Sequence, residues 1–130
     1  MNAIISVESL YTLSRDQPIG IPILADVVYF LKRSPGMSGK ELAKILNVKR
    51  SALSSAVHLL TGDTLNDLLR QWKLLKAMDL LSNTRLPYLD VAHLCGFKTV
   101  NGLSKFMERN HKCTAREYRE NRVHGNRSAR

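Results

Sequence analysis

Residues 86–119 read LPYLDVAHLCGFKTVNGLSKFMERNHKCTAREYR and contain the clearest structural pattern in the chain. A turn between two crossing helices needs a residue that tolerates positive φ, and Gly96 is such a residue. The crossing also needs a small side chain where the helices approach, which Ala92 provides, and Phe97 is placed to fill the core under the turn. These three positions predict a helix-turn-helix over 87–111.

The second helix of this motif is amphipathic. Leu103, Phe106 and Met107 recur at helical spacing and are expected to point inward. The residues on the outer side are mostly polar: Thr99, which can also cap the helix, Val100, Asn101, Ser104, Lys105 and Glu108. In a helix-turn-helix protein, the N-terminal end of this second helix is the part that can enter the major groove of DNA.

Further helices are predicted upstream of this motif. Apolar residues recur at helical spacing over 64–82, which predicts one long helix. Before it, Ser38 and Glu41 have the spacing of a capping box and open a second, more degenerate helix-turn-helix over 38–60. Gly62 supplies the stop between this motif and the long helix.

The two ends of the chain are less regular. Residues 1–20 form an N-terminal extension whose apolar residues suit either a strand or a helix. The helical region is expected to span 21–122, and 123–130 to form a basic tail that frays. The predicted fold is therefore all-α, with about seven helices arranged as two helix-turn-helix subdomains joined by the long linker helix.

The composition indicates the class of partner. The chain has 130 residues, and its 20 Lys and Arg against 11 Asp and Glu give a net charge of +9 and a pI near 9.9. Nearly all of the excess lies in residues 41–130, and such charge is typical of nucleic-acid-binding proteins. The longest apolar-rich stretch, 19–31, is too short to span a bilayer, and no signal peptide is evident. Two cysteines form no disulfide framework, so a cytoplasmic location is expected.

Residues 86–119 resemble the second helix-turn-helix of AraC-type transcriptional regulators, a bacterial family. The matching positions are Val91-Ala92, Gly96-Phe97, Thr114 and Tyr118-Arg119. The segment SGKELAKILNVKRSALSSAVHLLTGDTLNDLLRQWKLLKAMDLL, residues 38–81, resembles the family's first helix-turn-helix and its linker helix. Its matching positions are Leu53, Gly62, Lys73, Ala77, Leu80 and Leu81. The resemblance covers 21–122 and implies a DNA-binding domain without a sensor domain, because twenty preceding residues cannot fold into one.

The sequence departs from the family pattern at several positions. Ser55 stands where the family has an arginine in the first recognition helix, so one base-contacting side chain is missing. Lys73 replaces an arginine on the linker helix, which keeps the charge but loses the bidentate guanidinium. After the second recognition helix, Lys112 replaces a glycine and Ala115 replaces a proline.

The resemblance assigns DNA contacts to the outer sides of both recognition helices. On the first helix these residues are Lys49, Arg50, Ser51, Ser54, Ser55 and His58, and on the second they are Lys98, Thr99, Val100, Asn101, Ser104 and Lys105. Asn101 is suited to adenine and Lys105 to guanine, while Thr99 and Val100 offer methyl contacts to thymine. Phosphate contacts are expected from Arg109, Lys112, Arg116 and the helix starts at Ser38 and Pro87, and Lys73 on the linker helix is a further candidate DNA contact.

Enzymatic and metal functions are not expected. The sequence contains no paired-carboxylate or nucleophile constellation and no Gly-rich phosphate loop, so neither catalysis nor a cofactor is predicted. His93-x-Cys95 and His111-x-Cys113 together offer a metal-like ligand set. They lie at opposite ends of a helix of about 13 residues, nearly 20 Å apart. Zinc needs all its ligands within about 2.3 Å, so no metal site is predicted.

The expected function is a sequence-specific transcriptional regulator that inserts two recognition helices into successive major grooves of double-stranded DNA. RNA polymerase or another regulator is a candidate further partner, no membrane contact is expected, and the oligomeric state stays open. The alternative is a protein-interaction or non-specific DNA-binding module that keeps the scaffold but has weakened base readout. The apolar N-terminal segment favours that alternative, because it could pair with another chain. A membrane-surface or RNA-binding protein is a third interpretation, and an aromatic content of 6% argues against stacking on single-stranded RNA.

Overall fold

The computed structural model describes residues 6, 11 and 22–128, without the side chains of residue 22 and of 122–128. This part of the chain is all-α and contains no strand, as the sequence predicted. Its seven helices are α1 (Pro22–Arg33), α2 (Gly39–Leu46), α3 (Arg50–Thr61), α4 (Leu65–Asn83), α5 (Tyr88–Leu94), α6 (Val100–His111) and α7 (Ala115–Ser128). Apart from residues 6 and 11, the predicted N-terminal extension lies outside the described residues. No helix in the described part is both long and apolar enough to cross a membrane.

The chain forms two compact units, Met1–Lys73 and Leu74–Arg130, and the boundary between them falls within α4. In unit 1, α1 packs against α2, and α2 packs against α3. The buried apolar side chains of this unit are Leu24, Val27, Val28, Leu31, Leu42, Ala43, Leu53, Val57, Leu65, Leu68, Leu69 and Trp72. Leu46 and Leu60 are only half-buried, because both lie in the last turns of short helices.

Local hydrogen bonds fix the helix ends of unit 1. The Ser38 N–H donates to Glu41 Oε1 and the Glu41 N–H donates to Ser38 Oγ, both at 3.1 Å, so the predicted capping box is present. Asn47 ends α2 with φ 58° and Gly62 ends α3 with φ 80°, both in the left-handed region. Asn tolerates this region better than most residues, and it serves here as the turn residue of the first helix-turn-helix.

Unit 2 has one continuous core in which α6 packs against both α5 and α7. Its buried residues are Ala77, Leu80, Leu81, Val91, Ala92, Cys95, Leu103, Met107, Ala115 and Tyr118. Gly96 has φ 90°, and the Phe97 N–H donates to Ala92 O at 2.8 Å, which closes the predicted turn. The Phe97 ring lies 5.1 Å from the ring of Phe106, so it covers the core at this point.

Arg119 joins three segments of unit 2. Its guanidinium donates to Leu81 O at 3.0 Å and Leu86 O at 2.8 Å, and at the longer distance of 3.5 Å to Leu80 O. The same guanidinium lies 4.8 Å from the ring centroid of Tyr88. These contacts tie α7 to the carbonyls of the last turn of α4 and to the connection that precedes α5.

The two units repeat the same order of structural signals. In each unit, the carbonyl of an alanine accepts the hydrogen bond that closes the turn of the helix-turn-helix. A residue with positive φ ends the second helix of that motif, and a threonine caps the helix that follows the motif. The matching pairs are Ala43 and Ala92, Gly62 and Lys112, and Thr64 and Thr114. The segment from the left-handed turn residue to the first buried residue of the next helix is one residue longer in unit 2, Gly96 to Leu103, than in unit 1, Asn47 to Leu53.

Two boundaries differ from the predictions. The last helix, expected to end near Arg122, continues to Ser128, because no proline follows and Gly125 lowers helix propensity without breaking the helix. Pro87 is the N-cap of α5 with φ −57° and not its first helical residue. This shift of one position does not change how proline restricts the chain at the helix start.

Candidate functional site

The outer face of α6 is held in a defined orientation at its N-terminal end. Thr99 caps the helix by accepting a hydrogen bond from the Gly102 N–H at 3.0 Å. Asn101 and Lys105 lie one turn apart on this face, and both are exposed. Val100 and Ser104 are half-exposed beside them. The face therefore presents an amide and an ammonium group on a rigid helix, next to a small apolar and a hydroxyl side chain.

The outer face of α3 has a different shape. A shallow groove of about 570 Å³ runs along it, which we call the α3 groove. The groove is lined by Arg50, Ser51, Ser54, Ser55, His58 and Thr64. Five of these six residues were predicted as contacts of the first recognition helix. Because the serine side chains are small, the longest groups on this face are the guanidinium of Arg50 and the imidazole of His58.

Arg50 is oriented by contacts with neighbouring helices of unit 1. Its Nη2 donates to Asn66 Oδ1, near the start of α4, at 2.9 Å. Its side chain also lies against buried Gly39 at the start of α2, where an added Cβ would be 3.2 Å from Arg50 Nε. The sequence identified Arg50 as a candidate contact but gave no signal for Asn66, because the two residues are 16 positions apart.

Apart from Arg50 and Lys105, the cationic candidates for DNA contact are distributed over both units. Lys49 in unit 1 and Lys98, Arg109, Lys112 and Arg116 in unit 2 are exposed. Lys73, on α4, is half-buried and makes a contact of its own. The structure thus leaves five of these six cations open to solvent, whereas Lys73 is partly covered.

Lys112 occupies an unfavourable backbone conformation. It is the C-cap of α6 and has φ 59° and ψ 22°, in the left-handed region that β-carbon-bearing residues rarely adopt. Among the described residues, Asn47 is the other non-glycine position with positive φ. The matching residue of unit 1 is Gly62. The second helix-turn-helix therefore has a lysine at a position where the first has a glycine, which adopts positive φ without strain.

The start of α2, where a phosphate contact was predicted, holds a side-chain carboxylate. The Glu41 carboxylate accepts the Ser38 N–H there, and this hydrogen bond, followed by the one involving the Ser38 side chain, lowers the pKa of Glu41. An ionised carboxylate at this position repels a second anion. The helix start therefore already holds a side-chain carboxylate of the protein, and the phosphate contact at Ser38 stays a prediction.

The cysteines lie in and beside the core of unit 2. Cys95 is fully buried, as expected of a small apolar side chain. Cys113 is half-buried, and burial, together with the charge of Glu117, raises the pKa of its thiol. No group of three or more His, Cys, Asp or Glu side chains in the described part of the chain is placed to share a metal ion.

Comparisons with known proteins agree on one fold. A family model described as "Helix-turn-helix domain" matches residues 42–121, and no curated protein matches the sequence. The C-terminal domain of AraT, a response regulator from Geobacillus stearothermophilus, superposes with a TM-score of 0.68 at 24% identity, over 77% of this chain and 84% of that one.

Two further solved structures are similar. The DNA-binding domain of AdpA, a global transcriptional factor solved with a target DNA, has a TM-score of 0.68 at 23% identity, over 79% of this chain and 95% of that one. A transcriptional regulator from Chromobacterium violaceum, described as having an AraC-type DNA-binding domain, has a TM-score of 0.64 at 22% identity, over 78% and 92% of the two chains. At these identities the likeness establishes the fold.

Proposed function

This chain belongs to the AraC-type helix-turn-helix family, and on that premise we propose that it is a sequence-specific DNA-binding transcriptional regulator. The observation that carries the proposal is the outer face of α6, where a capped, rigid helix presents the exposed side chains of Asn101 and Lys105. The AdpA domain, which shares the fold, was solved with its target DNA. A net charge of +9 supports attraction to the phosphate backbone.

In the proposed complex, α3 and α6 are the recognition helices and enter successive major grooves of one duplex. Successive grooves on one face are about 34 Å apart. The linker helix α4 has 19 residues, which corresponds to a length of about 28 Å. In this proposal α4 links the two recognition helices within one molecule.

The proposed roles follow from side-chain chemistry. Asn101 can pair with adenine through two hydrogen bonds and Lys105 with the acceptors of guanine, while Thr99 and Val100 contact thymine methyl groups. The hydroxyls of α3 discriminate less, because serine pairs with any base. We therefore propose that most base discrimination comes from α6, and that exposed Lys98, Arg109, Lys112 and Arg116 hold phosphates around it.

The test is a binding selection on random duplexes, followed by affinity measurements on the selected and a scrambled duplex over a salt series. A sequence-specific regulator should bind the selected duplex roughly 10³-fold or more tightly than the scrambled one. If the two affinities are equal and both fall steeply with salt, the chain is a non-specific DNA-binding module and the proposal is wrong.

The alternative of a protein-interaction module loses part of its basis. It depended on an apolar N-terminal segment without a place in the fold. The ring of Tyr11, within that segment, makes an edge contact with Trp72 at 4.9 Å between centroids. Because Trp72 is a fully buried residue of unit 1, Tyr11 packs against the core of its own chain.

Lys112→Gly is expected to have opposite effects on stability and on DNA binding. Glycine relieves the left-handed conformation, so the free energy of unfolding should rise by about 1 kcal/mol. Loss of a phosphate-binding cation should at the same time weaken binding to all duplexes severalfold and lower the salt slope by about 1. Chemical denaturation and fluorescence anisotropy measure the two quantities.

The matched control for this substitution is Asn47→Gly, which also changes a left-handed residue at a helix end. Since Asn already tolerates that region, its stability gain should be only a few tenths of a kcal/mol. Its DNA affinity should stay within about twofold of the native value. Unchanged affinity in Lys112→Gly would show that the lysine is not a DNA contact.

A further inference from the structure

The α3 groove has the composition of an anion site. Its lining supplies one guanidinium, one imidazole and four hydroxyl groups, and contains no carboxylate. The hydroxyls belong to Ser51, Ser54, Ser55 and Thr64, and each can donate to an oxygen acceptor. A phosphate group needs several donors and no nearby negative charge, and this lining meets both needs.

Arg50 is prepared for such a ligand by its neighbours. A guanidinium has five N–H donors, and Asn66 takes one of them through the 2.9 Å hydrogen bond. The remaining donors stay on a planar group that is already held in place, with its Nε and Nη2 atoms beside Gly39. A pre-oriented fork loses less conformational entropy when it binds a phosphate.

Asn66, the hydrogen-bond partner of Arg50, carries no charge. Asn66 orients the guanidinium without neutralising it, whereas on the same helix Arg70 is paired with the carboxylate of Asp67 at 3.5 Å. Arg50 thus keeps its full charge at the edge of the groove.

We propose that the α3 groove is a phosphate-binding site that holds a backbone phosphodiester of DNA, with Arg50 as the anion ligand and Asn66 as its positioning residue. This inference rests on the proposed DNA-binding function for the identity of the phosphate source. It moves Arg50 from base contact to backbone contact. The first helix-turn-helix then mainly binds the DNA backbone, and the second mainly contacts the bases.

The first experiment uses inorganic phosphate and no DNA. The Arg50 Nε–Hε signal of the full chain is followed by NMR during a phosphate titration at constant ionic strength, with chloride as the comparison anion. We expect a saturable shift of this signal in the native chain, none in Asn66→Asp, and no comparable shift of the Arg70 signal. If phosphate and chloride shift Arg50 equally, the groove is not a phosphate site.

The second experiment measures duplex affinity for four variants. Arg50→Ala should weaken binding about tenfold on selected and scrambled duplexes alike, and lower the salt slope by about 1. Asn66→Asp should weaken binding by a similar factor, because the new carboxylate neutralises the guanidinium. Asn66→Ala should weaken it about threefold, because Arg50 keeps its charge but loses its orientation. The matched control, Arg70→Ala, removes the same charge outside the groove and should change binding less than twofold.

The outcomes separate the inference from the proposed function. A phosphate-dependent shift of Arg50 without any selected DNA sequence would support the groove and reject the regulator. Loss of preference at one base position in Arg50→Ala, with scrambled DNA bound as before, would make Arg50 a base reader and overturn the inference. Trp72 fluorescence verifies that unit 1 remains folded. If Arg50→Ala unfolds, Arg50→Lys should show a threefold weakening on both duplexes, because the charge remains without the fork.

Discussion

Arg119→Ala is expected to destabilise unit 2 by about 3 kcal/mol. The guanidinium donates two short hydrogen bonds, to Leu81 O and Leu86 O, and packs on the ring of Tyr88. A hydrogen bond from a charged donor contributes about 1.5–3 kcal/mol. Because Arg119 is partly exposed, we take the lower value for each of its two short bonds, which gives the sum of about 3 kcal/mol. Alanine would also leave carbonyls at the end of α4 without this donor.

Two native residues allow each unit to be observed separately. Trp72 is the single tryptophan and is fully buried in unit 1, while Cys95 is fully buried in unit 2. In a Cys113→Ser background, labelling of the Cys95 thiol reports the opening of unit 2. A loss of 3 kcal/mol should raise the labelling rate on the order of 100-fold where opening is a rapid pre-equilibrium. Trp72 fluorescence should respond less.

The control is Arg116→Ala, which removes the same charge from an exposed position on the same helix. Its stability should change by less than about 0.5 kcal/mol. Arg119→Lys should recover only part of the loss, because an ammonium group cannot reach two carbonyls in the fork geometry. Equal labelling rates in Arg116→Ala and Arg119→Ala would show that the three-way contact does not stabilise unit 2.

The features that the sequence predicted correctly depend on neighbours within a few positions. The capping box of Ser38 and Glu41 spans three residues, and so does the hydrogen bond from the Gly102 N–H to Thr99. Gly96 takes its positive φ inside a turn whose two helices are both visible as apolar periodicity. Such signals survive in a single sequence because their cause and effect lie on the same short segment.

The contacts that the sequence did not predict join distant segments. Arg119 reaches carbonyls 33 to 39 positions away, and Arg50 reaches Asn66 across 16 positions. An exposed-looking arginine on a helix gives no local sign of such a partner. The correspondence between the two units was equally hidden, because the turn of unit 2 contains one more residue and the repeated positions carry different side chains, such as Gly62 and Lys112.

The candidate site also combines features set by local sequence with features set by tertiary packing. Exposure of Asn101 and Lys105 followed from helical periodicity, and the structure has both side chains on the outer face of α6. The shape of the α3 groove did not follow, because it depends on how small serines lie beside Thr64, the residue that precedes α4. The periodicity of a sequence predicts which residues share one face of a helix, whereas tertiary packing determines the shape of the surface that they form.

The second large effect is expected from the reading face of α6. Asn101→Ala and Lys105→Ala should each lower the affinity for the selected duplex by about 1–3 kcal/mol, because each bidentate contact to a base discriminates by about that amount. Affinity for scrambled DNA should change little in Asn101→Ala, since a neutral amide adds nothing to backbone attraction. In Lys105→Ala it should fall slightly as one charge is lost.

A repeated selection with each variant locates the effect. The base preference should relax at one position for Asn101→Ala and at a second position, about one helical turn of protein away, for Lys105→Ala. Neither substitution should affect folding, because both side chains are exposed and Thr99 caps the helix without them. Glu108→Ala, a change on the same helix further from its N-terminus, is the control and should preserve the selected motif. An unchanged motif in both reading-face variants would place the reading face elsewhere, and α6 would then be a backbone contact like the one inferred for the α3 groove.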